Sequence, residues 1–271
     1  MTSRVLAAAG AALMLLLAGC GEATQVRSVG PTAPVFSPPA GATPSADPPE
    51  SPRPSGVPRP SPSPSKTGPK STRTPLPPGL RRSTGTRGVA LTFDDGPDPV
   101  WTPKVLEQLR RHRVTATFCV VGTRVRKHPG LVARIVREGH QLCNHSWHHD
   151  VDLGGRPRAE IRADLDRTTR AIRAAVPGAK VPFYRQPGGR WTPEVVAVAR
   201  DLGMTPLHWN VDPQDWAKPT ATTIVARVKD ATRPGSVVLL HDGGGNRAAT
   251  VAACPGLIAD IKRRYGVTRL R

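Results

Sequence analysis

Long hydrophobic runs are scarce in these 271 residues, as are aromatics (4%), cysteines (four) and acids (20 against 39 lysines and arginines). The apolar stretch Val5 to Leu17 is too short to span a bilayer as a mature helix. Four cysteines are few for an exported chain. Aromatics are sparse and do not cluster with the basic residues, which scatter along helical patterns, so the formal charge of +19 does not read as a nucleic-acid footprint. Between Gly21 and Arg87 almost no aliphatic residue is available for a core, while 17 of the 31 prolines fall there. Such composition does not offset ordering entropy and stays extended.

What is present divides the chain in three. Met1 to Arg4 is a short basic start, Val5 to Leu17 an apolar run, and Leu17-Ala18-Gly19-Cys20 a small-residue cleavage site, the pattern of a secretory signal. Its ending resembles a bacterial lipoprotein signal, which implies cleavage after residue 19 and Cys20 as a lipidated membrane anchor on the outer face of the cell membrane or in the wall. Residues 20–87 read as a tether reaching on the order of 100 to 200 Å at about 3 Å per residue. The remaining 88–271 carry 29 Lys and Arg against 17 acids, a basic surface suited to an anionic envelope. Cys119 and Cys143 sit in apolar strand-like runs and read as buried thiols; a disulfide between them is the open alternative, with Cys254 left over.

From Gly88 onward short β-branched runs alternate with amphipathic stretches. Seven strands are predicted: Gly88 to Phe93, Ala116 to Val121, Gln141 to Asn144, Val181 to Arg185, Thr205 to Val211, Ser236 to Leu240 and Val267 to Leu270. The intervening helices are Thr102 to His112, Thr123 to Glu138, Arg158 to Val176, Thr192 to Leu202, Thr222 to Thr232 and Val251 to Tyr265. Thr102-Pro103 and Thr192-Pro193 read as N-caps with proline in first helical place, and Gly139, Gly203 and Gly266 as helix stops. Repeated strand-helix units imply a parallel α/β sheet, here a distorted, incompletely closed (β/α)7 barrel. Chemistry in such barrels gathers where strands end.

The strand ends carry it. The first delivers Asp94-Asp95, the third Asn144-His145-Ser146-Trp147-His148-His149-Asp150, the fourth Arg185-Gln186-Pro187-Gly188-Gly189, the fifth Asp212 to Trp216, and the sixth His241-Asp242. His145 and His149, four apart, fall on one face of a helical turn and with one carboxylate make a three-ligand metal site with a position left for water. His148 should face away. The second of Asp94 and Asp95 is then free as a general base. Arg185 can pair with that base, the glycines behind it let backbone N–H groups approach an oxyanion, and His241, partnered by Asp212 or Asp215, is a natural acid. Trp191 and Trp216 are candidates for a sugar pocket.

Thr92-Phe93-Asp94-Asp95-Gly96, His145-Ser146-x-x-His149, Arg185-x-Pro187-x-Gly189, Asp212-x-x-Asp215-Trp216 and Leu239-Leu240-His241 resemble the five ordered motifs of the polysaccharide deacetylases, carbohydrate esterase family 4, with its NodB-like homology domain. The resemblance spans about Gly88 to Leu270. It implies Asp94 as base, Asp95, His145 and His149 as ligands of one divalent metal (zinc first; Co, Mn or Ni as alternatives), Arg185 tuning Asp94, the Gly188 amide at the oxyanion, Asp215 tuning the acid His241, and Leu239 and Trp216 shaping the acetyl pocket. Asp150 stands where the family commonly has Pro, and Gly188 where it often has Tyr.

The expected activity is hydrolytic deacetylation of an envelope polysaccharide by a monomer without nucleic-acid partners. N-acetylglucosamine or N-acetylmuramic acid of peptidoglycan is the first substrate; chitin oligomers and acetyl-xylan are the alternatives. Two histidines and a carboxylate also serve iron(II) oxygenases, but that chemistry leaves Asp94, Arg185 and His241 idle. A non-catalytic wall-binding lipoprotein would lack a ligand, and none is lacking.

Overall fold

The computed structural model describes residues 75–271. The signal segment, Cys20 and the tether up to residue 74 lie outside them. Among the described residues no helix is long and apolar enough to cross a membrane.

Six parallel strands form one curled sheet: β1 (Ala90–Asp94), β2 (Thr117–Val120), β3 (Gln141–Asn144), β4 (Phe183–Tyr184), β5 (Thr205–Pro206) and β6 (Val237–His241), in the order β5-β4-β3-β2-β1-β6. Both faces are covered, so β1, β2 and β6 are buried at every position and read as nearly continuous apolar runs. Alternation sorts their side chains. Ala90, Cys119, Cys143, Phe183, Leu207 and Val237 form a small cluster inside the curl. Leu91, Phe93, Phe118, Leu142, Val238 and Leu240 face outward beneath the helices in the main core. Truncating Phe118, wholly buried there, to alanine would cost about 3–5 kcal/mol.

The sheet closes incompletely. Beyond β5 the chain swings back until Val211 bridges Val238 on β6, with Leu239 N–H donating to the Val211 carbonyl at 2.9 Å. One bridge, not a ladder, joins the two edges. The run predicted as a single strand from Thr205 to Val211 thus serves β4 at its start and β6 at its end. Packing begins before Gly88: Arg81 bridges Leu207 and Ser83 bridges Ser236. The predicted seventh strand, Val267 to Leu270, contributes a single bridge between Val267 and Val89. Its end turns inward instead. Leu270 plugs the floor of the curl, exchanging hydrogen bonds with the Gln141 amide (2.9 and 3.0 Å).

Among the described residues seven α-helices cover the outside: α1 (Trp101–His112), α2 (Gly122–Lys127), α3 (Pro129–Arg137), α4 (Arg158–Ala175), α5 (Pro193–Asp201), α6 (Ala221–Ala231) and α7 (Ala248–Arg264). The helix predicted over Thr123 to Glu138 is two, broken at His128 (φ −131°, ψ 56°). Pro129 causes the break, because its ring disfavours helical geometry in the residue before it. Thr192 caps α5 as expected, accepting from Val195 N–H at 3.2 Å. Thr102 does not cap α1. Asp98 takes that role, accepting from Val100 and Trp101 N–H (2.9 and 3.0 Å), and Thr102 is committed elsewhere. Cys119 and Cys143 occupy one register position of β2 and β3 and are joined as a disulfide, which replaces the expected pair of thiols. Cys254 is a buried free thiol.

Candidate active site

Adjacent strand residues point to opposite faces, so Asp94 and Asp95 need a device to share one cavity. The backbone supplies it: Asp95 has φ 72°, a left-handed conformation that costs an L-residue about 1–2 kcal/mol and swings its carboxylate back over the mouth of the curl. Ser146 and His149 also have φ 62°. The turn joining the two histidines is therefore not helical, as their spacing predicts, but a loop bent twice through left-handed residues. Backbone strain concentrated at one place marks a constraint beyond folding.

The loop aims both imidazoles at Asp95. His145 Nε2 lies 3.4 Å and His149 Nε2 3.1 Å from Asp95 Oδ1, and the three ligand atoms fall within 4.8 Å of one another. Tetrahedral ligands at about 2.0–2.1 Å from an ion sit about 3.3–3.5 Å apart, close to the two spacings from Asp95, so the donor set suits a small divalent cation. Two further observations agree. Asp95 Oδ1 is buried without a hydrogen-bond partner, a state that costs a few kcal/mol unless something neutralises it. His145 Nδ1 lies 2.8 Å from the Arg185 carbonyl; a carbonyl only accepts, so Nδ1 carries the proton and Nε2 offers its lone pair. Burial pushes the Asp95 carboxyl up, but the close approach of the His145 and His149 imidazoles outweighs it and holds the group well below the usual carboxylate range. His149 is raised in turn by Asp95. Protons and a cation compete for these positions.

Arg185 is wholly buried and spans the curl. Its Nη1 donates to Thr92 Oγ1 (2.8 Å) and Asp94 Oδ1 (2.7 Å), and its Nε to the Leu207 carbonyl (3.2 Å). It is no surface ion pair: removing one partner would strand a buried charge at about 3–5 kcal/mol. On the opposite wall His241 Nδ1 donates to Asp215 Oδ1 (2.6 Å), while Asp215 Oδ2 accepts from His241 N–H and Thr250 Oγ1 (2.9 and 2.8 Å). Burial pulls the His241 imidazole down, but Asp215 and the charges of Asp95 and Asp94 overcome this and push it up to about 9. Its Nε2 is left to face the cavity as a proton donor. Asp212 is exposed and accepts from Gln214 N–H (2.8 Å), so Asp215 is the histidine's partner.

These groups line a cavity of about 500 Å³ whose wall also includes Gly188, Leu239, Trp209, Trp216 and Arg247. Leu239 is buried, whereas Trp216 is 51% exposed at the rim. Gly188 adopts φ 62°, with its backbone on the cavity side. Trp191 is not a pocket residue. It packs edge-on against Tyr184 and donates from Nε1 to His208 Nδ1 (3.1 Å); Trp209 takes the place expected of it. His148 is exposed, as expected. Asp242, behind the site, carries no expected role. It accepts from Thr102 Oγ1 (2.5 Å) and its N–H donates to the Asp94 carbonyl (3.0 Å). Burial, then the charges of Asp95 and Asp94, push its carboxyl up to about 7. Gly244, to which the sequence assigns no role, packs against a ligand: a Cβ on it would stand 2.3 Å from Asp95 Oδ2.

A family model described as polysaccharide deacetylase matches residues 81–207, ending before Asp215 and His241. A chitooligosaccharide deacetylase of Bradyrhizobium sp. (strain ANU 289) is 45% identical over 191 residues, 66% of this chain and 87% of that protein. A peptidoglycan-N-acetylglucosamine deacetylase of Bacillus cereus is 36% identical over 179 residues, 65% of this chain and 82% of that protein. Among solved structures, a protein of Bacillus anthracis described as a CE4 family pseudoenzyme superposes with a TM-score of 0.65 at 31% identity, covering 71% of this chain and 67% of that one.

Proposed function

Because the chain belongs to the polysaccharide deacetylase family, hydrolases of carbon–nitrogen bonds other than peptide bonds, we propose that it removes acetyl groups from N-acetylglucosamine units of cell-wall peptidoglycan in a metal-dependent reaction. The family fold also houses a protein described as a pseudoenzyme, so the activity rests on side chains. One observation carries it: Asp95, His145 and His149 converge within 4.8 Å in the cavity that Asp94 and His241 also line.

A divalent cation held by those three ligands, zinc first, supplies Lewis acidity and eases deprotonation of water at neutral pH. Asp94, kept in place by Arg185, takes the proton of the water that attacks the acetamide carbonyl. The Gly188 amide donates to the oxyanion, a contact worth about 10²- to 10³-fold in rate. His241, protonated through Asp215, gives its proton to the departing amine, typically another 10²- to 10⁴-fold. Leu239 and Trp216 hold the acetyl methyl and the sugar face.

The signal pattern and basic surface favour an exported, monomeric enzyme anchored through Cys20 and working on the cell's own envelope. Chitin oligomers are the second reading, favoured by the 45% identity to a chitooligosaccharide deacetylase. Acetate release from peptidoglycan, chito-oligomers and acetyl-xylan, each with and without chelator, tests both. Release from peptidoglycan that stops on chelation and returns with zinc is expected; chelator-insensitive release, or none, overturns the proposal.

A further inference from the structure

Arg247 immediately precedes α7, lines the cavity and is 4% exposed. Its Nε donates to the Gly243 carbonyl at 2.6 Å. Among the described residues no carboxylate pairs with it, and its Nη1 and Nη2 have no acceptor. A guanidinium on so buried a side chain normally comes paired, since desolvating an unpaired charge costs several kcal/mol; here the two Nη atoms are not sealed in the protein but open on the cavity. Arg185 obeys that rule, with Asp94 and three further acceptors around it. Clamping the Gly243 carbonyl uses one of Arg247's five donors and leaves the planar fork, the part shaped for a carboxylate, unspent.

Among the residues that line the cavity Arg247 is the only lysine or arginine, the protonated His241 being the other side chain that attracts an anion. Elsewhere on the wall Asp94, Asp95 and Asp212 repel one. The 17-residue helix α7 starts here with no acid in its first turn; Asn246 Oδ1 accepts from its Ala248 N–H at 2.9 Å, and the helix dipole adds to the attraction.

We infer that Arg247 is a carboxylate-binding residue of this cavity, which rests on the deacetylase reading and extends it to substrate or product selection. Two sources present the same chemistry: the acetate that the reaction releases, and an acid substituent on the sugar, such as a lactyl ether beside the acetamido group.

The test compares wild type, Arg247→Gln and Arg247→Lys, each zinc-loaded and checked for folding by its melting transition. Calorimetry with acetate and with N-acetylmuramic acid reads binding without turnover. The ratio of kcat/KM for a lactyl-bearing N-acetylated oligomer to that for a neutral chito-oligomer of equal length reads selection. Loss of at least tenfold in acetate affinity by Arg247→Gln assigns the product. A tenfold fall in N-acetylmuramic acid affinity together with the kcat/KM ratio assigns the sugar acid. Arg247→Lys should lie between in either case. Unchanged affinities for both probes, or equal losses on both oligomers with binding untouched, overturn the inference in favour of a loop clamp. If wild type releases no acetate from any glycan, the deacetylase reading falls, and calorimetry alone still decides Arg247.

Discussion

Gly244→Ala tests whether the glycine run after β6 sets the position of Asp95. A Cβ there would lie 2.3 Å from Asp95 Oδ2, 3.1 Å from Cγ and 3.2 Å from Cβ, against 3.4 Å or more for an ordinary contact. The carboxylate must therefore retreat by about 1 Å, and Asp95 has little room to do so, its backbone being fixed at φ 72°. Metal–ligand distances tolerate only about 0.2 Å, and disturbing the groups that orient a ligand typically costs 10- to 100-fold in metal affinity. Gly244 also sits at φ +72°, so alanine adds about 1–2 kcal/mol of backbone cost. Gly178→Ala separates the two effects: it too has positive φ (+77°), but nothing lies within 4 Å of its Cβ. Zinc titration of the metal-free proteins, melting temperatures and acetate release against zinc concentration make the comparison. Gly244→Ala should lose at least tenfold in zinc affinity and regain activity at high zinc; Gly178→Ala should lose stability only. Equal zinc affinities in the two variants would refute the reasoning.

Asp94→Asn should retain zinc and lose at least 10²-fold in kcat, whereas His145→Ala should lose zinc itself; metal content measured beside activity distinguishes base from ligand. Asp215→Asn removes the group that outweighs burial at His241, so the basic limb of the pH–rate profile should move to lower pH. The stability sign agrees: with a folded value of about 9 against 6.5 unfolded, His241 contributes stability that is complete below pH 6.5 and lost as pH rises through 9, and Asp215→Asn should abolish that loss in melts taken from pH 6 to 10. Asp242 adds a second decline at lower pH, since an acid raised from 3.8 to about 7 keeps a proton in the folded state that the unfolded chain gives up, so stability falls from pH 4 to 7 by about 4 kcal/mol. Asp242→Asn should flatten that decline in chelated samples, and an unchanged slope would show that Asp242 is not its source.

Much of the site was legible because barrel chemistry follows strand ends and strand ends are visible as β-branched runs. Asp94, His145, Arg185 and His241 each sit where such a run stops, and Asp95, His149 and Asp215 follow within a few residues. What stayed hidden is which polar side chain pairs with which across the curl. Thr102 before Pro103 carries a helix-cap signal that is locally sound, yet its hydroxyl serves Asp242, 140 positions away, and no local pattern records that. The histidine spacing has the same defect: four residues apart suits a helix face, but two left-handed residues bring the rings together by another route. Trp209 and Trp191 show where parity would have served. Trp209 shares inward parity with Leu207 in the run leading to Val211, and so belongs to the cavity side; Trp191 precedes the capped start of α5, in the outer layer. Arg247 and Asp242 flank a glycine run that reads as a surface turn, and Gly244 and Gly245 are indeed exposed; it is the burial of the two flanking side chains that makes them chemical. Partial closure has the same origin: pairing needs length, and Val267 to Leu270 spends its last residues filling the floor, where a buried leucine is worth about 2 kcal/mol and an added edge hydrogen bond about 1.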